Sequence, residues 1–115
     1  HVPGWDIATV VHLLAQVQPE VPVVHFGDLD PNGVRIFLKL RELRSDLCWF
    51  VPSFWTECVE PRKLKKPWPA GLDLRHAPKL VHDLVDKGLW LEQEPLVVDS
   101  RMRSALESTI QLVVD

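Results

Sequence analysis

The sequence predicts an α/β domain built on an open parallel sheet with helices on its faces. Three observations support this prediction. Helix, strand, helix and strand patterns alternate between residues 6 and 51, as they do in parallel α/β folds. The first strand is a continuous apolar run, which is typical of a strand buried on both faces. The chain has 115 residues, of which 46% are hydrophobic, and this is enough to form one core.

Residues 6–17 form the first predicted helix, which Asp6 can cap and Pro19 ends. Its apolar positions recur at helical spacing: Ile7, Val10, Val11, Leu14 and Val17. Residues 21–26 form the apolar strand, between Pro19 and Gly27. Residues 27–33 are rich in Gly, Asp, Asn and Pro, which predicts a loop.

The next helix is predicted at residues 34–44, and a second strand at 47–51. The apolar face of this helix consists of Ile36, Phe37, Leu40 and Leu43. Four prolines interrupt residues 53–78, so this stretch is predicted to be mostly irregular. A short helix is predicted at residues 79–87 and should stop at Gly88. Residues 89–94 fit more than one type of secondary structure. A last helix is predicted after them, with Asp99 or Ser100 as its cap.

Composition excludes several classes of protein. The net charge of −3 and the pI of about 5.9 argue against an electrostatic grip on nucleic acid by the whole chain, so DNA contacts would come from local clusters. Two cysteines are too few for a disulfide-stapled secreted domain, and we expect reduced thiols, with Cys48 in the core. No apolar run reaches the about 20 residues that span a bilayer. We therefore expect a cytoplasmic protein that does not contact membranes.

The informative motif is the aspartate pair Asp28 and Asp30, which follows the first strand. In open α/β sheets, ligands bind at the carboxyl ends of the strands. Two carboxylates one residue apart can face the same side of the loop, and hard oxygen ligands suit Mg²⁺ or Mn²⁺. Gly27 and Gly33 allow a tight turn, and the positive end of the following helix suits a phosphate.

Other interpretations of this pair are ordinary turn chemistry and helix capping, which also use Asp, Asn, Pro and Gly. An EF-hand loop is rejected, because its twelfth position would be Lys39 where a bidentate Glu is required. A phosphatase with Asp28 as nucleophile and Asp30 as acid/base remains open. His25, in the strand before the pair, can approach the metal loop or be buried.

Residues 24–43 read Val-His-Phe-Gly-Asp-Leu-Asp-Pro-Asn-Gly-Val-Arg-Ile-Phe-Leu-Lys-Leu-Arg-Glu-Leu, and residues 91–94 read Leu-Glu-Gln-Glu. In this order, the two segments resemble the Toprim domain at the C-terminus of the Wadjet defence nuclease subunit JetD, which is similar to the Toprim part of the topoisomerase VI A subunit. The resemblance implies a Toprim-like, Rossmann-like fold over residues 1–115. It also implies metal-dependent cleavage of DNA phosphodiesters.

By this resemblance, Asp28 and Asp30 hold the Mg²⁺ or Mn²⁺ ion, and Glu92 and Glu94 are further ligands or position water. Glu92 and Glu94 can equally be a solvated helix end. The family also has a Glu after an earlier strand, which this sequence lacks. Because the chain begins His1-Val2-Pro3-Gly4, we expect an N-terminally truncated fragment, the C-terminal part of a longer protein.

The expected partners are double-stranded DNA, the subunits of an SMC-like, kleisin-containing complex that defends against plasmids, and a second copy of the chain. Two groups of cations are candidates for DNA binding. One lies on the helix after the aspartates, where a solvated face is the alternative: Arg35, Lys39, Arg41 and Arg44. The other lies in a loop with Trp55 and Trp68 nearby: Arg62, Lys63, Lys65 and Lys66.

Three functions are consistent with these features. The first is a metal-dependent DNA nuclease module. The second is a phosphatase-like hydrolase of small phosphate esters, although the residues after Asp30 are Pro-Asn-Gly rather than the Thr or Val usual in such enzymes. The third is a non-catalytic Toprim-like interaction domain.

Overall fold

The computed structural model describes residues 13–93, 95–96 and 99–114, with side chains described as far as Thr109. Residues 13–15 are helical and fall within the first predicted helix. The beginning of that helix and its Asp6 cap lie outside the described residues. The remaining elements are β1 (Val24–His25), α1 (Pro31–Arg41), β2 (Cys48–Trp49), α2 (Trp55–Cys58), β3 (Arg62–Lys63), α3 (Lys79–Lys87), β4 (Leu89–Trp90) and α4 (Met102–Val114).

Strands β1 and β2 pair in parallel, with Val24 opposite Cys48 and His25 opposite Trp49. The Phe50 amide donates to the His25 carbonyl at 2.7 Å and continues the pairing by one residue. This β1-α1-β2 unit confirms an α/β architecture with a short parallel sheet. Both strands are shorter than the predicted ranges 21–26 and 47–51, and a larger open sheet stays a prediction.

Helix α1 begins at Pro31, three residues before the predicted start. Asp30 is its N-cap, with extended backbone, and the side chain accepts a hydrogen bond from the Gly33 amide. Proline suits the first helical position because its fixed φ is already helical and the missing N–H would have no helical partner. The sequence pattern had assigned these residues to the loop.

The helix also ends earlier than predicted, at Arg41, because Arg44 turns back into the protein. The Arg44 guanidinium is buried and donates to the Val21 carbonyl at 2.7 Å, and it pairs with Asp46 at 3.0 Å. Leu43, predicted on the apolar face, is 45% exposed as a result. The prediction that Cys48 lies in the core is wrong: its thiol is exposed, whereas the neighbouring Trp49 is buried.

The C-terminal half forms a second, antiparallel strand pair. Helix α3 matches the predicted range, and Gly88 stops it with a left-handed φ of 67°. The chain then enters β4, which pairs with β3 so that Arg62 lies opposite Trp90. Neither β3 nor α2 was predicted, because both are short pieces inside a proline-rich stretch.

One main hydrophobic cluster joins α1, β2, α3 and the segment after β4. Its fully buried members include Leu29, Val34, Phe37, Leu47, Val81 and Leu91. A smaller cluster packs α4 against the segment after β2 through Met102, Phe50 and Phe54. Within the part of the chain that the structure describes, no helix has the length and apolarity to cross a membrane.

Candidate functional site

The aspartate loop pairs with the segment that follows β4. Leu29 and Leu91 form an antiparallel bridge, in which the Leu29 amide donates to the Leu91 carbonyl at 2.7 Å and the Leu91 amide donates back at 3.1 Å. Both leucines are fully buried. The two sequence segments singled out above, 24–43 and 91–94, are therefore in direct contact.

Gln93 is fully buried, and its hydrogen bonds stabilise the contact between the aspartate loop and the segment after β4. Its backbone amide donates to Asp28 Oδ1 at 2.9 Å. Its side-chain amide donates to the Gly27 carbonyl at 2.7 Å and to the Phe50 carbonyl at 3.2 Å. Gln93 thus ties the aspartate loop to the end of β2 and orients the Asp28 carboxylate. The sequence interpretation chose its neighbours Glu92 and Glu94 and missed Gln93.

The Asp30 carboxylate caps helix α1, and its surroundings shift its pKa in opposing directions. Oδ1 accepts from the Gly33 amide at 2.6 Å, which is the helix-capping alternative raised from the sequence. Burial raises the pKa of this carboxyl, the Gly33 hydrogen bond lowers it, and the nearby Asp28 charge raises it, with a net shift upward. The capping bond also means that the Gly33 amide is already used and is not free for a phosphate.

Asp28 and Asp30 line one small cavity of about 30 Å³ beside β1 and the start of α1. His25, Gly27 and Gly33 also form its walls. A cavity needs about 10–15 Å³ to hold a water molecule, so this one accepts a single water or small ion. The hydrogen bonds that the described residues make to these carboxylates use Oδ1 of Asp28 and Oδ1 of Asp30.

His25 is both buried and a wall of this cavity. Its ring packs against Phe37 and, edge-on, against Trp49 with centroids 4.9 Å apart. Burial lowers the pKa of His25 to about 4, so the imidazole is neutral at physiological pH. Its Nε2 has no hydrogen-bond partner in the part of the chain that the structure describes. His25 is therefore both buried and close to the aspartate loop, which are the two alternatives that the sequence left open.

Gly33 is required by close packing at the start of α1. A Cβ at this position would overlap the carbonyl oxygen of Asp28 and would lie 3.1 Å from Asp30 Oδ1. Only glycine lets the first turn of the helix approach the aspartate loop this closely. The tight turn predicted for this loop thus has a specific steric cause.

The donor set is small. Across the described residues, no three His, Cys, Asp or Glu side chains are grouped as a ready-made metal site. Two carboxylates are nevertheless a usual protein contribution for Mg²⁺, which keeps several waters and takes other oxygens from a phosphate substrate. Asp28 and Asp30, which line one cavity, fit that mode of binding.

The structure describes Glu92, one of the two glutamates that were predicted to be catalytic. Glu92 is partly exposed and forms a loose ion pair with Arg62, in which Oε2 lies 3.9 Å from Nη2. It does not line the aspartate cavity. Glu94 lies outside the described residues. Neither prediction of a catalytic role is tested by these contacts.

A second, larger cleft lies beside the first turn of α1, with a volume of about 560 Å³. Four of the predicted DNA-binding cations line it: Arg35, Lys63, Lys65 and Lys66. Its apolar walls are Pro31, Leu64, Pro67, Pro69 and Trp90. We call it the cationic cleft, because none of the described residues that line it is acidic. One of its lining residues, Pro31, directly follows Asp30.

The other predicted cations lie elsewhere. Lys39 is exposed but does not line the cationic cleft. Arg62 lies over the Trp90 ring, 5.7 Å from its centroid. Arg41 is half-buried and donates to the Leu47 carbonyl at 2.7 Å, and Arg44 is buried, so neither lines the cationic cleft, and their contact with DNA stays a prediction.

The two tryptophans named with the basic loop also serve the fold. Trp68 donates its indole N–H to the Leu89 carbonyl at 2.8 Å. Trp55 is partly buried and packs against both hydrophobic clusters. The aromatic side chain that accompanies the basic loop is instead Trp90, which the sequence interpretation did not select.

Comparison of the chain with protein-family models, with curated proteins and with solved structures finds no match.

Proposed function

We propose that this chain is a Toprim-like, metal-dependent DNA nuclease module in which Asp28 and Asp30 hold Mg²⁺ or Mn²⁺. The observation that carries the proposal is that these two carboxylates line one ion-sized cavity at the carboxyl end of a parallel strand. This edge is where open α/β sheets bind their ligands. The contact between segments 24–43 and 91–94, through Leu29 and Leu91, further supports it.

Electrostatics favours a cation between the two aspartates. Burial, and after it the Asp28 charge, raise the pKa of Asp30, which means that a second negative charge is unfavourable there. A divalent cation would relieve this repulsion and accept carboxylate oxygens as ligands. A bound Mg²⁺ would supply Lewis-acid polarisation of a phosphoryl oxygen.

The surrounding residues would prepare the site for a phosphodiester. Gln93 holds Asp28 in place through its backbone amide, and the capping bond to Gly33 holds Asp30. Arg35 and the three lysines of the cationic cleft would bind the phosphates on one side of the site. The proposal extends, through the resemblance, to work within an SMC-like, kleisin-containing defence complex in the cytoplasm.

Cleavage of supercoiled plasmid by the full-length protein in Mn²⁺ tests the proposal. Asp28→Asn and Asp30→Asn are suitable variants, because asparagine keeps an acceptor oxygen for the Gln93 and Gly33 amides and caps helices as well as aspartate. A metal ligand contributes several kcal/mol, so each variant should cut at least about a hundredfold more slowly. Asp86→Asn, at an exposed position of α3, should cut normally.

Unchanged cutting by both aspartate variants would overturn the proposal. Turnover of a small phosphate ester such as p-nitrophenyl phosphate, abolished by Asp28→Asn and without cutting of plasmid, would favour the phosphatase with an aspartyl nucleophile instead.

A further inference from the structure

We propose that the cationic cleft binds a single strand of nucleic acid, with an unpaired base against Trp90 and its phosphates on Arg35, Lys63, Lys65 and Lys66. The proposal names the form of the substrate and therefore rests on the proposed nuclease function. It differs from the expectation of double-stranded DNA drawn from the sequence.

The walls of the cleft combine two chemistries. Arg35, Lys63, Lys65 and Lys66 are exposed cations from two separate parts of the chain, brought together although the net charge is −3. Prolines and the Trp90 ring supply apolar surface between them. An anion that also carries a flat apolar group complements both, and a nucleotide has this composition.

An unpaired strand fits this surface better than a duplex. In a duplex the flat faces of the bases are stacked inside the helix, so a duplex would contact only the cations and leave the apolar walls uncovered. In a single strand each base has a free face, and stacking on an aromatic side chain is a common mode of binding. A volume of about 560 Å³ is also in the range of pockets that enclose small organic groups.

The Trp90 side chain lines the cationic cleft, and contacts within the fold fix its strand. β4 pairs with β3 through the Arg62 and Trp90 positions, and the Arg62 guanidinium lies over the Trp90 ring, so we place the base on the other face of the ring. The Trp68 indole donates to the Leu89 carbonyl and secures the neighbouring residue of β4. Pro31, the residue directly after Asp30, also lines the cleft, so the cleft adjoins the aspartate loop.

Binding is measured by fluorescence anisotropy with three labelled probes in EDTA: a twelve-nucleotide oligothymidine, an abasic strand of the same charge, and a hairpin duplex. We expect the oligothymidine to bind most tightly. Single strands lose affinity with a log–log salt slope of about −0.7 per phosphate contacted, so four cations give a slope of roughly −3.

Two variants separate charge from stacking. Lys65→Gln with Lys66→Gln should bring the slope to about −1.4. The matched control, Lys79→Gln with Lys87→Gln, should leave the slope unchanged, because both lysines are exposed and neither lines the cleft. Trp90→Leu should weaken oligothymidine binding by about tenfold. The same variant should bind the abasic strand normally, which also shows that it is folded.

Tighter binding of the duplex, equal binding of the abasic strand, or an unchanged slope in the Lys65 and Lys66 variant would overturn the inference. If plasmid cutting depends on Asp28 and Asp30 but oligothymidine does not bind, the nuclease function stands and the cleft inference fails. If oligothymidine binds as expected and the full-length protein does not cut plasmid, the cleft inference stands and the nuclease function fails.

Discussion

Replacement of Gln93 by leucine should destabilise the protein and loosen the aspartate loop. The buried Gln93 side chain donates to the carbonyl oxygens of Gly27 and Phe50. Leucine has a similar size but cannot donate, so both carbonyls would be left unsatisfied. A buried polar group without its partner costs about 1–3 kcal/mol.

The loss in free energy of unfolding should be smaller than the sum of the costs of the two lost hydrogen bonds. The Gln93 side-chain oxygen has no hydrogen-bond partner among the described residues, so leucine also removes one unsatisfied group and adds apolar contact. We therefore expect a loss of about 2 kcal/mol in the free energy of unfolding. With a urea dependence of about 1–3 kcal/mol per molar, the unfolding midpoint should fall by about 1 M.

Urea unfolding followed by tryptophan fluorescence measures this change. Gln18→Leu is the matched control, since the same chemical change occurs at an exposed glutamine and should leave the midpoint nearly unchanged. Equal midpoints for Gln93→Leu and the wild type would refute the role assigned to Gln93.

Three further predictions concern the same region. Gly33→Ala should lower the free energy of unfolding by about 2–3 kcal/mol, read from urea melts, because its Cβ would overlap the Asp28 carbonyl. Burial lowers the pKa of His25 from 6.5 to about 4, so as the pH falls the unfolded state binds this proton before the folded state does. The free energy of unfolding should therefore fall by about 3 kcal/mol between pH 6.5 and pH 4 because of His25. The His25→Phe variant should lack this component, and identical pH profiles of stability for the two proteins would contradict the assignment. Arg44→Met should lower the melting temperature because it leaves the Val21 carbonyl unpaired, whereas Asp46→Asn should lower it less.

The parts of the fold that follow from local signals could be predicted from the sequence. Helix α3 matches its predicted range because its apolar spacing and Gly88 are sufficient to define it. The parallel pairing of β1 with β2 follows from an apolar strand, a helix and a second apolar strand in succession. The start of α1 was misassigned because Asp30 and Pro31 occur equally in loops and at helix starts.

The remaining features depend on contacts between distant parts of the chain. Gln93 and Asp28 are 65 residues apart, and no local pattern distinguishes Gln93 from the glutamates beside it. Arg44 resembles a solvated helix residue until its partners near Val21 are known. Four cations of the cationic cleft were identified from the sequence, but their convergence beside Trp90 depends on the β3–β4 pairing.

Direct titration with Mn²⁺, followed by the electron paramagnetic resonance signal of the free ion, tests the metal site without reference to any substrate. The wild type should take up one ion, Asp28→Asn and Asp30→Asn should bind it at least about tenfold more weakly, and Asp86→Asn should match the wild type. Failure of the wild type to bind Mn²⁺, or equal binding by all four proteins, would contradict the assignment of the aspartate cavity as a metal site.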